Sequence, residues 1–146
     1  MMTKIEEFLS EADERSLIDA IKAAEKNTSG EIRVHIEKKA NKAVFERALE
    51  VFYLLKMDET NLRNGVLIYV ATEEQQFAIL GDEGIDEKVP KNFWNDEKEL
   101  ITSYFKNQEH GKGLELAIAE VGLKLKEFFP YEADDANELS DEISKG

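Results

Sequence analysis

An α/β fold is predicted by three observations: a seven-residue stretch in which polar and apolar residues alternate, a continuous β-branched run further on, and amphipathic helical stripes before, between and after them. The first helix begins at Ser10-Glu11-Ala12-Asp13, where a hydroxyl N-cap precedes acidic first-turn residues. Leu17, Ile18, Ile21 and Ala24 then recur at helical spacing to about Lys26. A turn cluster, Asn27-Thr28-Ser29-Gly30, leads into Glu31, Arg33, His35 and Glu37, which alternate with Ile32, Val34 and Ile36. This pattern predicts a strand with one polar face, at a sheet edge.

Over residues 41–55, Val44, Ala48, Val51, Phe52 and Leu55 form a second helical stripe. Asn64-Gly65 opens Val66-Leu67-Ile68-Tyr69-Val70-Ala71, whose continuous apolar character suits a central strand buried on both faces. Thr72-Glu73-Glu74-Gln75 has the length of a hairpin loop, and Phe77-Ala78-Ile79-Leu80 is the returning strand, stopped by Gly81-Asp82-Glu83-Gly84. Two further helices are marked by Phe93, Trp94, Leu100, Ile101, Tyr104 and Phe105, and by Leu114, Ala117, Ile118, Val121, Leu125 and Phe128. They are parted by His110-Gly111 and end at Pro130. Helical spacing assigns Trp94, Tyr104 and Phe105 to the core. His35 reads as a solvent-facing strand residue and His110 as part of a helix-ending turn.

The chain has 146 residues, the size of one domain, with 42% apolar and 35% charged residues, a globular composition. Residues 1–130 form the expected domain. Residues 131–146, with Glu132, Asp134, Asp135, Glu138, Asp141 and Glu142, read as an acidic tail. Leu139 and Ile143 stand four residues apart in it, so a weak dock on a partner or on the domain itself is the alternative.

A net charge of −13 repels nucleic acid and bare anionic membranes and favours cations or basic proteins as partners. There is no apolar run of membrane-spanning length and no apolar core of a secretion signal, so a cytoplasmic monomer without membrane insertion is expected. The absence of Cys removes thiolate nucleophiles, disulfides and cysteine-bound metals.

A strand, a crossover helix and a second strand form a parallel unit, so the strands starting at Glu31 and Gly65 leave from one rim, and the hairpin brings the third strand back to it. Glu31, Asn61, Arg63, Asn64, Asp82, Glu83 and Asp86 thereby gather at that rim. The donors other than Arg63 are oxygens suited to a hard cation, Ca²⁺ or Mg²⁺. The simpler reading of Gly81-Asp82-Glu83-Gly84 is a solvated turn in which Asp82 caps a short helix.

Three segments, Thr28-Ser29-Gly30-Glu31-Ile32-Arg33-Val34, Arg63-Asn64-Gly65-Val66-Leu67-Ile68-Tyr69-Val70 and Phe77-Ala78-Ile79-Leu80-Gly81-Asp82-Glu83-Gly84-Ile85, resemble the TPM domain family. Trp94 and Gly111-Lys112-Gly113-Leu114 follow in the order the resemblance requires. The resemblance implies a three-layer α/β/α sandwich around a small mixed sheet, divalent-cation binding in some members and an acid phosphatase activity in others. Carried over by motif, Glu31, Arg63, Asn64, Asp82, Glu83 and Asp86 occupy the polar edge already singled out, which Asn61 shares; Asp82, Glu83 and Asp86, with Glu31, are the expected metal ligands. Three functions follow as expectations: a cation-binding domain with a regulatory or stabilising role, a metal-dependent phosphatase, or a metal-independent protein-interaction module. For the phosphatase, no thiolate loop or Asp-x-Asp signature is present, so a metal-activated water assisted by Arg63 is the route left open.

Overall fold

The computed structural model describes residues 8–131 and 143–146. Its elements in chain order are α1 (Glu11–Glu25), β1 (Glu31–Glu37), α2 (Val44–Leu54), a 3-10 turn (Met57–Glu59), β2 (Gly65–Ala71), β3 (Gln76–Gly81), α3 (Glu83–Asp86), α4 (Phe93–Lys106), α5 (His110–Phe128) and β4 (Ser144–Lys145). The strands form one mixed sheet in the order β3-β2-β1-β4. β1 runs parallel to β2 and to β4, and β2 runs antiparallel to β3.

Helices cover both faces of the sheet. On one face Ile32, Val34, Ile36, Val66, Ile68 and Val70 meet Leu17, Ile21, Ile101, Leu114, Ile118 and Leu125 from α1, α4 and α5. On the other, Leu67, Tyr69 and Ala71 meet Ala48, Val51 and Phe52 from α2, and Met57. All seven residues of β2 are buried, as a continuous apolar run requires when both faces are covered. The three-layer α/β/α sandwich with its small mixed sheet is therefore the observed architecture.

Local sequence accounts for the helix ends. Ser10 and Asp13 form a reciprocal capping box, with Asp13 N–H donating to Ser10 Oγ at 3.1 Å and Ser10 N–H to Asp13 Oδ2 at 3.2 Å. α1 and α5 pack closely enough that a Cβ at Gly122 would lie 2.7 Å from Ala24 Cβ.

Three expectations need correction. β1 is an interior strand, and its polar face lies under α2 because α2 supplies Arg47 and β2 supplies Tyr69 to meet it. His35 is consequently only 6% exposed, not solvent-facing. His110 opens α5 instead of ending a helix: its ring stacks on Phe8 at 3.8 Å, and Gln108, with φ 61°, makes the preceding turn. Of the three aromatics assigned to the core, Phe105 is buried and Trp94 and Tyr104 are half-buried.

The acidic residues of the tail, and Leu139, lie outside the described residues. The last four residues are described: Ile143 packs against the core, Ser144 and Lys145 pair with His35 and Ile36, and Lys145 Nζ reaches Glu14 at 2.8 Å.

Candidate functional site

The rim at which β1 and β2 begin and β3 ends is built by backbone hydrogen bonds. Asp82 N–H donates to Gly65 O at 2.9 Å, Gly84 N–H to Arg63 O at 2.7 Å, and Glu31 N–H to Asn64 O at 3.4 Å. Segments more than fifty residues apart thus share one edge. Gly84 is required there, since a Cβ would stand 2.1 Å from Leu62 O. Thr28, Glu31, Thr60, Asn64 and Asp82 are all buried at this end of the sheet, a concentration of buried polar groups that marks a candidate site.

Arg63, in a left-handed conformation with φ 52°, turns its guanidinium onto Asp82. The pair is bidentate, Nε to Oδ2 at 2.7 Å and Nη2 to Oδ1 at 2.9 Å, and Nη1 reaches Glu83 Oε1 at 3.3 Å. Asp82 also accepts from Glu83 N–H at 2.8 Å, which makes it the N-cap of α3. The capping role and the shared rim coexist in one carboxylate.

The remaining predicted residues are distributed around this clamp. Glu31 is 2% exposed and lies across from Gly65 in the β1–β2 register. Asn64 is held by Thr60 and donates to Ser29 Oγ at 3.4 Å. Asp86 accepts from Trp94 Nε1 at 2.9 Å, and Asn61 is exposed. Arg63, Asp82 and Glu83 are predicted side chains that the fold brings into direct contact. Among the described residues no three His, Asp or Glu side chains stand together in an arrangement that could hold a metal ion. Carboxylate and amide oxygens line this rim, and Asp82 already carries a positive partner there.

Two further clusters escaped the sequence reading. At the opposite rim, Glu37 accepts from Arg47 Nε at 2.7 Å and Nη2 at 3.1 Å, from the Tyr69 hydroxyl, and pairs with His35 Nε2 at 3.2 Å. Burial opposes ionisation of Glu37, yet the Arg47, Tyr69 and His35 hydrogen bonds prevail and hold its carboxyl down at about 2. Burial lowers the His35 imidazole and, with the hydrogen bond to Glu37, raises the Tyr69 hydroxyl. A cleft of about 760 Å³ lies beside this network, lined by Lys38, Lys39, Lys42, Arg47, Glu50 and Glu73 among others.

The second cluster centres on Glu97 of α4, 3% exposed, with Oε1 lacking a hydrogen-bond partner. Burial pushes its carboxyl up to about 9, reinforced by the hydrogen bond and charge of Glu120 and the charge of Asp96. A signal for it existed: Phe93, Glu97, Ile101 and Phe105 recur every fourth residue and are all buried, so a carboxylate interrupts the inner stripe of α4.

The chain matches the model of the TPM domain over residues 2–123. It belongs to the TPM domain family. The NMR structure of the BA42 protein from the psychrophilic bacterium Bizionia argentinensis is 50% identical, with a TM-score of 0.89 over 99% of this chain and all of that one. The N-terminal domain of a P. gingivalis protein, 16% identical, shares the fold of this TPM domain, with a TM-score of 0.67 over 86% of this chain and 83% of that one. No curated protein matches this TPM domain. No helix among the described residues is long and apolar enough to cross a membrane.

Proposed function

We propose that this TPM domain is a divalent-cation-binding domain, in which Ca²⁺ or Mg²⁺ exchanges with the Arg63 guanidinium at Asp82 and Glu83, with a stabilising or regulatory outcome. The carrying observation is that Asp82, only 6% exposed, is met by a bidentate cationic side chain reaching in from a neighbouring segment. A buried carboxylate needs a positive partner, and a side chain at a rim can yield that place to an ion. Glu83, exposed and in reach of the same guanidinium, supplies a further oxygen donor. A cation bound to the folded state alone would also stabilise it by mass action. The proposed setting is the cytoplasm. No hydrolytic step is assigned to the rim.

The test is titration of the protein with CaCl₂ and with MgCl₂ while backbone amide shifts are followed. Changes are expected at residues 29–31, 63–65 and 82–86. Arg63→Ala removes the competitor and should tighten binding several-fold, whereas Asp82→Asn should abolish the response. Shifts confined to other parts of the surface, or a response unaltered in Asp82→Asn, would refute the proposal.

A further inference from the structure

Between α4 and α5 runs a groove of about 660 Å³, lined by Phe93, Asp96, Glu97, Glu99, Leu100, Glu120, Leu123, Lys124 and Glu127. Its chemistry is lopsided. Five carboxylates face one ammonium, and that ammonium, Lys124 Nζ, is already tied to Glu127 Oε2 at 3.2 Å. At the base lies Glu97, nine-tenths buried and more, with its unpartnered Oε1. On the wall stands Leu123, 66% exposed, with half-buried Leu100 also lining the groove. A buried carboxyl oxygen without a donor, ringed by acidic groups and bordered by apolar side chains, is complementary to a cationic head on an apolar stem.

We propose that the α4–α5 groove docks a basic amphipathic segment of another polypeptide, with an arginine or lysine side chain meeting Glu97 and Glu120 and a neighbouring apolar side chain covering Leu123. This proposal is independent of cation binding at the Arg63–Asp82 rim. Charge selects the occupant. The acidic stretch at residues 132–142 of this same chain would be repelled, as would nucleic acid, and a second copy carrying −13 is disfavoured at long range.

Docking carries a proton balance. Free, Glu97 holds its proton at neutral pH, because burial, Glu120 and Asp96 all raise its carboxyl. The charged groups facing it are Glu120 from α5 and Asp96 from its own helix, with Glu99, Lys124 and Glu127 lining the same groove. When a guanidinium arrives, Glu97 releases that proton to solvent and the carboxylate pairs with the cation. Binding should therefore strengthen as pH rises from 6 towards 9.

The experiment uses a twelve-residue peptide with Leu and Arg at alternating helical turns, and the same peptide with citrulline in place of each Arg. Amide shifts should cluster at residues 93–100 and 120–127 with the arginine peptide and be absent with the neutral one. Calorimetry at pH 7 in phosphate and in Tris should report close to one proton released per peptide. Glu97→Gln, which keeps the groove's shape, should abolish that release and weaken binding by about tenfold or more, while an unchanged amide spectrum elsewhere establishes that the variant is folded. Equal binding of the two peptides, shifts spread over the acidic surface, or heats independent of buffer would each overturn the proposal.

Discussion

Replacing Glu97 by Gln should make the protein more stable at neutral pH, although it alters a buried residue. In the unfolded chain this carboxyl ionises near its ordinary 4.5, whereas the fold raises it to about 9. A raised acid favours folding only while it is protonated. Its contribution is complete below about pH 4.5 and is lost steadily as pH climbs towards 9. Each pH unit is worth about 1.4 kcal/mol, so holding the proton at pH 7 costs the folded state up to about 3 kcal/mol. That is a large share of the ~5–15 kcal/mol that stabilises an ordinary domain. Gln fills the same space, carries no charge and can still donate to Glu120. The two proteins should have nearly equal stability at pH 4.5, and the variant should then gain by about 1.4 kcal/mol per unit up to about pH 8. Urea unfolding followed by fluorescence of Trp94, the single tryptophan, measures this at pH 5, 6, 7 and 8. Parallel stability curves, or a variant less stable than the parent at pH 8, would show that Glu97 does not hold a proton in the folded state.

Arg47→Ala should cost about 2–3 kcal/mol at pH 7, because it leaves the buried Glu37 with only Tyr69 and His35. Since the fold depresses the Glu37 carboxyl to about 2, the stability it confers is present above about pH 4.5 and lost as pH falls towards 2. The gap between variant and parent in urea unfolding should therefore close over that interval. Gly84→Ala forces a methyl against the carbonyls of Leu62 and Arg63, so a loss of about 1–3 kcal/mol is expected. Amide shifts centred on residues 62–65 and 82–86 should accompany it in the spectrum, and a spectrum unchanged there would show that the contact relaxes freely.

Much of the fold was legible because β2 and the helical stripes carry period and burial together. Val66 through Ala71 admits few readings other than a strand covered on both faces, and Val44, Ala48, Val51 and Phe52 do form the inner face of α2, with Leu55 packed beside them just past its end. The shared rim was legible for a topological reason: once β1 and β2 are parallel and β3 returns, Asp82 must arrive beside Gly65. What the alternation in β1 could not reveal was the environment of its polar face. Glu31, Arg33, His35 and Glu37 have the period of a solvated strand, and the Arg47 and Tyr69 side chains that permit the burial of Glu37 are assigned to it only by packing and register. The Arg63–Asp82 pairing was hidden for a similar reason. Arg63 could be placed at the rim from sequence, but its left-handed backbone, which turns the guanidinium onto Asp82, is a conformational fact.

The pairing of His35 with Ser144 joins residues 109 positions apart. Contacts of such separation form late, because the intervening chain must first be ordered. During synthesis β1 can pair with β2 well before residues 144–145 emerge, so the His35–Ile36 stretch of the β1 edge is open to other strands until then. Ser144 and Lys145 thus act as a latch over the His35 side of the sheet, laid onto an edge that β1 and β2 build first.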